Sequence, residues 1–485
     1  MKLLTLLLLF SIFSFGAIDD TTVWEIQTGG SDSNGCGFVP GASGTDHAYT
    51  TSSPTTRTDI VIDAVTNTNI TSAANAFDST DVGNIINITS GTGFTTGRYE
   101  IVSESSGVVT LDRAVGTTGS TGGNGTEGGA CLSLGEVMSD GYSIGMDFWF
   151  KSGTYTMNST TANVSQGQWS FTVNGTDTQQ TVIRGYNVTR GDLTDSAADI
   201  SNRPLIQLDV GTNFTGDPIH LSSNYITLMD MNFDANGDSL SDVINIDDIA
   251  FVVNVRVEDD NFYVHPGTNE EVLIMGITSL NSVGRGIRLE NPATCFNCYV
   301  ENSTLPGVRT QGGSACFNCT VTDSSSSGFI NIQGGTCINC TSEGNLQGFE
   351  SDDATNGGHQ NPALVNVLAE NNTNWAFDCD VSGEESTLVL YAGINDDNGS
   401  GDFDTCTWEQ FGTQDTATTT FFVDASTQDF ALNSNATGGA LLRSQGSPKD
   451  HFAGNGTTPT KTDIGAAQVQ SSGSGTVVKR VLGAR

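Results

Sequence analysis

From about residue 225 the chain sets apolar and polar positions in short runs that return at a fixed spacing. Cys295-Phe-Asn-Cys-Tyr-Val300, Cys316-Phe-Asn-Cys-Thr-Val321 and Cys337-Ile-Asn-Cys-Thr-Ser342 lie 21 residues apart. The register extends to Val252-Val-Asn-Val-Arg-Val257 and Leu364-Val-Asn-Val-Leu-Ala369, with Leu228-Met-Asp-Met231 and Leu273-Ile-Met-Gly276 as looser copies. Each strong copy is apolar at its first, second and fourth positions, with Asn254, Asn297, Asn318, Asn339 or Asn366 third. A second column runs in phase, Gly286-Ile287, Gly307-Val308, Gly328-Phe329 and Gly348-Phe349, so two strands per repeat are predicted. A unit this short cannot fold alone. Stacked as successive turns of a coil, each strand pairs with its copies about 4.8 Å above and below, and the pattern predicts a parallel β-solenoid. Val255, Cys298, Cys319, Cys340 and Val367 then form one inward column, and Val257, Val300, Val321 and Ala369 another. The recurring Asn sits at a bend that tolerates left-handed backbone, its amide bonding to the next Asn in a ladder.

The Asn-Cys-x-Val-x-Asn/Asp run followed by Gly and an apolar residue resembles the right-handed parallel β-helix superfamily. That resemblance implies a fold shared by pectate-lyase-like enzymes, viral tailspikes and secreted surface proteins. Asp147-Phe-Trp-Phe-Lys-Ser-Gly-Thr-Tyr155, Thr181-Val-Ile-Arg-Gly-Tyr186 and Arg203-Pro-Leu-Ile206 resemble the opening coils of such helices. Asp429-Phe-Ala-Leu432, Ser447-Pro448 and Thr462-Asp-Ile-Gly-Ala466 resemble a closing module. The predicted class is all-β: a signal peptide over 1–16, a small N-terminal β-domain over 17–135, the β-helix over 136–410, a capping module over 411–470 and a tail over 471–485.

Composition narrows the partners. Asp and Glu number 55 against 18 Lys and Arg, a net charge of -37, which argues against nucleic acid. The opening MKLLTLLLLFSIFSFGA places one Lys before a short apolar run and small residues, the form of a secretory signal, and no later run is long enough to span a membrane. Secretion to an extracellular surface is predicted. Ten cysteines suit a disulfide-permitting compartment. Cys36 and Cys131 are placed to close the N-terminal domain, and Cys379 with Cys406 the helix end. For Cys295, Cys298, Cys316, Cys319, Cys337 and Cys340, pairing within each Cys-x-x-Cys leaves no sulfur over, whereas free buried thiols are the second arrangement. The same spacing is that of zinc ligands; against it, the pairs fall on successive rungs instead of converging turns.

Further candidates are weaker in pattern. Asp234, Asn236 and Asp238, and Asp396, Asn398 and Asp402, alternate oxygen ligands around Gly turns as calcium sites do; calcium is an optional ligand and no cofactor is required. Asn69, Asn158, Asn174, Asn213, Asn302, Asn371 and Asn455 open glycosylation triplets. For chemistry, the cations within the repeats are Arg256, Arg285, Arg288 and Arg309, of which Arg288 and Arg309 share a strand column suited to an anionic sugar. The carboxylates are Asp247, Asp248, Glu258, Asp259 and Asp260. His47, His220, His265, His359 and His451 read as surface turns, and Tyr299, Trp375 and Trp408 as aromatics able to stack on sugar rings. No catalytic residue is assigned. Val477, Val478, Lys479, Arg480 and Val481 form a β-prone, basic tail able to add a strand to a neighbouring subunit. The first functional expectation is an exported appendage, fibre or adhesin with a glycan-facing wall, partnered by polysaccharide and capable of homo-oligomers or filaments. The alternative is an extracellular polysaccharide lyase or glycoside hydrolase.

Overall fold

The computed structural model describes residues 22–432 apart from internal stretches, the longest being 140–144, 158–168, 172–179, 210–217, 237–241, 267–271, 353–362 and 380–385. Signal-like residues 1–16, Asn158, Asn174, Asn213, Asp238, Asp396, Cys406, Asn455, much of the capping segment and the whole 471–485 tail lie outside the described residues. The chain forms two compact units, Met1–Glu258 and Asp259–Arg485. Among the described residues, helix is confined to Leu134–Ser139 and a 3-10 segment, Ala197–Asn202. None is long and apolar enough to cross a membrane.

In the first unit, Thr55–Ile62, Asn69–Thr71, Val108–Leu111, Gly97–Ser105, Ile85–Ser90 and Thr121–Glu127 close, in that spatial order, into an antiparallel barrel. Period-two alternation aims Ile60, Ile62, Ile70, Ile86, Ile88, Tyr99, Ile101 and Val109 into one core. Arg57 is buried there, paired with Glu127 and, at 3.0 Å, with Asp81, under the ring of Phe77. Cys36 and Cys131 are joined by a disulfide. Residues 23–26, which composition groups with this domain, belong elsewhere: Val23–Ile26 pairs in parallel with Asp147–Lys151, and that strand with Thr181–Tyr186. Parallel rungs continue through Ile226–Met229 and Ala250–Val253.

Both units carry parallel β-helix rungs, most of them built of three strands, not two, although in Ala363–Glu370 the first two run on as one strand. A representative set is Ala293–Phe296, Tyr299–Glu301 and Val308–Gln311. The third strand appears because the column Asn divides what looks like one apolar run. Asn254, Asn297, Asn318, Asn339 and Asn366 all have φ between 54° and 56°, a left-handed conformation that turns the chain while keeping the residues on both sides facing inward. In the second unit Asn318 Nδ2 donates to Asn297 Oδ1 at 3.3 Å, Asn339 to Asn318 at 3.1 Å and Asn366 to Asn339 at 3.0 Å. In the first, Asn254 donates to Asp230 at 3.3 Å. A second left-handed corner follows the second strand of the rungs, at Asp259, Asn281, Asn302, Asp323, Gly344 and Asn371.

Like stacks on like within the second unit. The inward columns include Ile274, Cys295, Cys316, Cys337 and Leu364; Cys298, Cys319, Cys340 and Val367; and Ile287, Val308, Phe329, Phe349 and Phe377, all fully or nearly fully buried. The in-phase Gly column has a steric cause: a Cβ on Gly286 or Gly307 would sit 2.2 Å from the Cγ1 of Val300 or Val321. A further buried ladder was not foreseen. Ser303 Oγ meets Ser324 Oγ at 2.6 Å, and Asn345 Oδ1, Asn372 Oδ1 and Asn398 Oδ1 accept the backbone N–H of Ser324, Asn345 and Asn372 in turn. These side chains satisfy backbone donors that the corner leaves without strand partners.

Candidate functional site

The outer face of one sheet of the second unit gathers the cations. Phe262–Val264, Ile287–Leu289 and Val308–Gln311 pair so that Tyr263, Arg288, Arg309 and then Ile330 lie opposite one another. Alternation buries Phe262, Val264, Ile287, Leu289 and Val308, so the residues between them point outward. Two positions further on come His265, Glu290 and Gln311. Glu290 is the hub. Arg288 Nε donates to Glu290 Oε1 at 2.7 Å, Tyr263 Oη donates to Oε2 at 3.0 Å, and Arg309 and His265 stand 3.9 and 3.7 Å from the same carboxylate. The Arg288 guanidinium lies 4.3 Å over the Tyr263 ring, which stacks on His265 at 5.8 Å. Arg309 also donates to Gln311 Oε1 at 2.6 Å.

Electrostatics set this face apart. Arg285, Arg288 and Arg309 are the only Lys or Arg between Arg256 and Arg443. Two guanidiniums here share one carboxylate, which leaves a local positive charge on a chain of net charge -37. Their spacing of one rung, about 4.8 Å, is close to the length of a sugar ring along a polymer. A planar guanidinium fork grips a carboxylate in two parallel hydrogen bonds.

A second row is mostly acidic. Glu301, Thr322, Glu343 and Glu370 are in register at the end of a strand column, beside Asp323. Burial, then the charges of Glu370 and Asp323, push the Glu343 carboxyl up to about 7 from an ordinary 4.5. Between those values the folded chain holds a proton that the unfolded chain has lost, so this group's contribution to stability declines as pH rises through that window. Glu343→Gln should therefore be increasingly stabilising relative to the parent from about pH 5 to about pH 8, read as a widening gap in thermal midpoint. A gap that stays constant with pH would show that Glu343 ionises normally.

The sequence candidates distribute unevenly. Arg288 and Arg309 come together; Arg256 pairs instead with Glu258 at 2.7 Å. Asp247 meets His220 at 2.5 Å. Asp259 is a left-handed corner with φ 66°, and Asp260 is fully buried. Asp234 closes a local turn, Oδ1 accepting from the N–H of Asn236 and Oδ2 from Gln207. Asn398, placed from the sequence among calcium ligands, is 6% exposed and ends the buried ladder. Phe296 and Phe317, 4.8 Å apart and within 12° of parallel, lie face to face, so most of each facing ring surface is taken. Asn302 and Asn371 are exposed, whereas Asn339 is buried in its ladder. The pairing expected within each Cys-x-x-Cys occurs at Cys295 and Cys298 alone. Cys316, Cys319, Cys337 and Cys340 are buried thiols, with Cys316 and Cys337 on adjacent rungs bringing their sulfurs to 2.8 Å. Glu290 and Glu343 escaped sequence reasoning, and the only signal for either is its place in a column.

Comparison with solved structures finds similarity to an alginate lyase from Paenibacillus sp. str. FPU-7, at 12% identity and a TM-score of 0.40 over 59% of this chain and 97% of that one. A pectate lyase matches at 14% identity and 0.38 over 70% and 91%. The catalytic unit of a GH87 α-1,3-glucanase from Streptomyces thermodiastaticus strain HF3-3 matches at 10% identity and 0.35 over 75% and 87%. No family model and no curated protein matches the chain. These likenesses concern the fold alone, and the fold of this chain is a parallel β-helix.

Proposed function

We propose that this chain binds and cleaves an acidic polysaccharide by β-elimination on the wall that carries Tyr263, His265, Arg288, Glu290 and Arg309. The observation that carries the reading is the in-register guanidinium pair sharing one carboxylate, with a phenol and an imidazole on that same carboxylate. In this reading Arg288 and Arg309 hold the uronate carboxylates of neighbouring sugars. Neutralising a carboxylate acidifies the adjacent carbon-bound proton, and His265, whose side chain is 49% exposed, takes it. Tyr263 gives a proton to the departing oxygen, and Glu290 orients both groups. The fibre reading drew on the ladder-dominated repeats, the scarcity of basic residues and residues 471–485, and the last of these lie outside the described residues. The wall lies within them.

The test is incubation of the full chain with polygalacturonate and alginate, with dextran as a neutral control, following unsaturated-product absorbance and reducing ends. Unsaturated ends from an acidic polymer, lost in His265→Ala while binding persists, are the expected result. Reducing ends without unsaturation would replace elimination with hydrolysis. Binding without any cleavage would return the wall to adhesion, and no binding to either acidic polymer would remove the glycan reading of this face.

A further inference from the structure

Six sulfurs from three successive rungs stand in two adjoining core columns. Cys295 and Cys298 are joined; Cys316, Cys319, Cys337 and Cys340 are buried thiols. Strand register sets Cys316 against Cys337, with their sulfurs 2.8 Å apart, and Cys316 lies 3.6 Å from Cys340. The sulfurs of Cys316, Cys337 and Cys340 all fall within 4.8 Å of one another. Cys319 Sγ instead stands 3.8 Å from Cys295 Sγ, and its sulfur groups with those of Cys295 and Cys298. For Cys316, Cys337 and Cys340 the objection that successive rungs cannot converge on one point fails on geometry. Thiolates around one tetrahedral ion at about 2.3 Å stand roughly 3.8 Å apart, and the rung spacing is only about 1 Å greater.

The surroundings agree. Asn331, 1% exposed and on a strand of the other sheet, holds its carboxamide 3.2 Å from Cys337 Sγ, where Thr310 donates to the same carboxamide at 2.5 Å. Asn331 Oδ1 accepts both bonds, one of them from the Cys337 S–H, and so fixes the direction of that side chain.

We propose that Cys316, Cys337 and Cys340 bind one soft d10 cation, Zn2+ or Cu+, clamping two rungs of the β-helix together. Each ligating thiol releases its proton to solvent as the metal enters, and no electron is transferred. The site is independent of the polysaccharide wall.

The test uses the full chain. After dialysis, metal analysis is expected to find one zinc or copper per chain, and alkylation in denaturant, mapped by peptide, should modify all four cysteines. Reduced, chelator-treated chain titrated with Co2+ should develop intense thiolate-to-cobalt charge transfer that saturates at one equivalent. Zn2+ should then abolish it; displacement by Cu+ but not by Zn2+ assigns copper. Cys316→Ser and Cys337→Ser should take stoichiometric binding from one to none. Should those variants fail to fold, the wild-type measurements decide alone. A disulfide among the four cysteines, or cobalt bound without charge transfer, would overturn the proposal.

Discussion

Arg309→Ala should weaken binding of polygalacturonate about 10- to 100-fold, the loss that follows from removing a hydrogen-bonded charge worth about 1.5–3 kcal/mol. Arg288→Ala should act in the same direction. The two are not expected to be additive, because both guanidiniums face Glu290 at 2.5 and 3.9 Å. Without Arg288, the carboxylate is left to Arg309 and competes directly with the ligand, so the single Arg288 variant carries part of the double variant's loss. Arg288→Lys keeps the charge but not the two-pronged donor, and should bind between the parent and Arg288→Ala. Affinity should also fall with added salt, since side chains 14% and 28% exposed meet the polymer in partly screened water. Measurement is by calorimetry or affinity electrophoresis, with dextran as control. If both alanine variants bind the acidic polymer as the parent does, the wall is not where the polymer binds, whatever activity is found elsewhere.

How much of this site was visible beforehand depends on what each position demands. The Asn column is legible because a left-handed backbone at each bend admits few residues. The same demand recurs at every rung, so Asn297, Asn318 and Asn339 stand in line in the sequence as they do in space. Core columns are legible for a similar reason, since stacking asks for like beside like. Outward positions answer to no such repeat. Arg288 and Arg309 could be aligned because each follows a Gly-apolar pair, but Glu290 joins Arg288 from two positions on, and His265 and Tyr263 join them only through a neighbouring rung. The buried Ser303, Ser324, Asn345 and Asn372 ladder escaped because it changes residue type along its length while keeping one task, accepting a corner N–H. Four of the barrel's strands show as β-type runs at 60–62, 84–88, 98–102 and 108–111, whereas Asn69–Thr71 and the Gly-rich Thr121–Glu127 do not. The barrel's closure does not show either, because antiparallel neighbours far apart in sequence, such as Thr55–Ile62 with Thr121–Glu127, leave no periodic trace.

Phe349→Ala should lower the stability of the β-helix rungs by about 3–5 kcal/mol, the usual loss for a fully buried Phe. Phe349 is 0% exposed and lies between Phe329 and Phe377, at ring distances of 5.0 and 5.5 Å and within 15° of parallel to each. The deletion removes a stacking partner from both neighbours at once. The cavity is hard to refill, because hydrogen bonds to the strands on either side hold this strand at the rung spacing and prevent collapse. In a stack where each rung touches only those beside it, the damage should stay local. Hydrogen exchange is expected to quicken across Ser327–Ile332, Gln347–Asp352 and Trp375–Cys379, while the barrel strands Thr55–Ile62 and Thr121–Glu127 keep their protection. Phe349→Leu, which retains most of the volume, should lose under about 1.5 kcal/mol. If alanine proves no worse than leucine, the aromatic column is not a packed stack. If exchange quickens equally in the barrel, the rungs do not respond as nearest neighbours, and a single cooperative core must take the place of the column-by-column account.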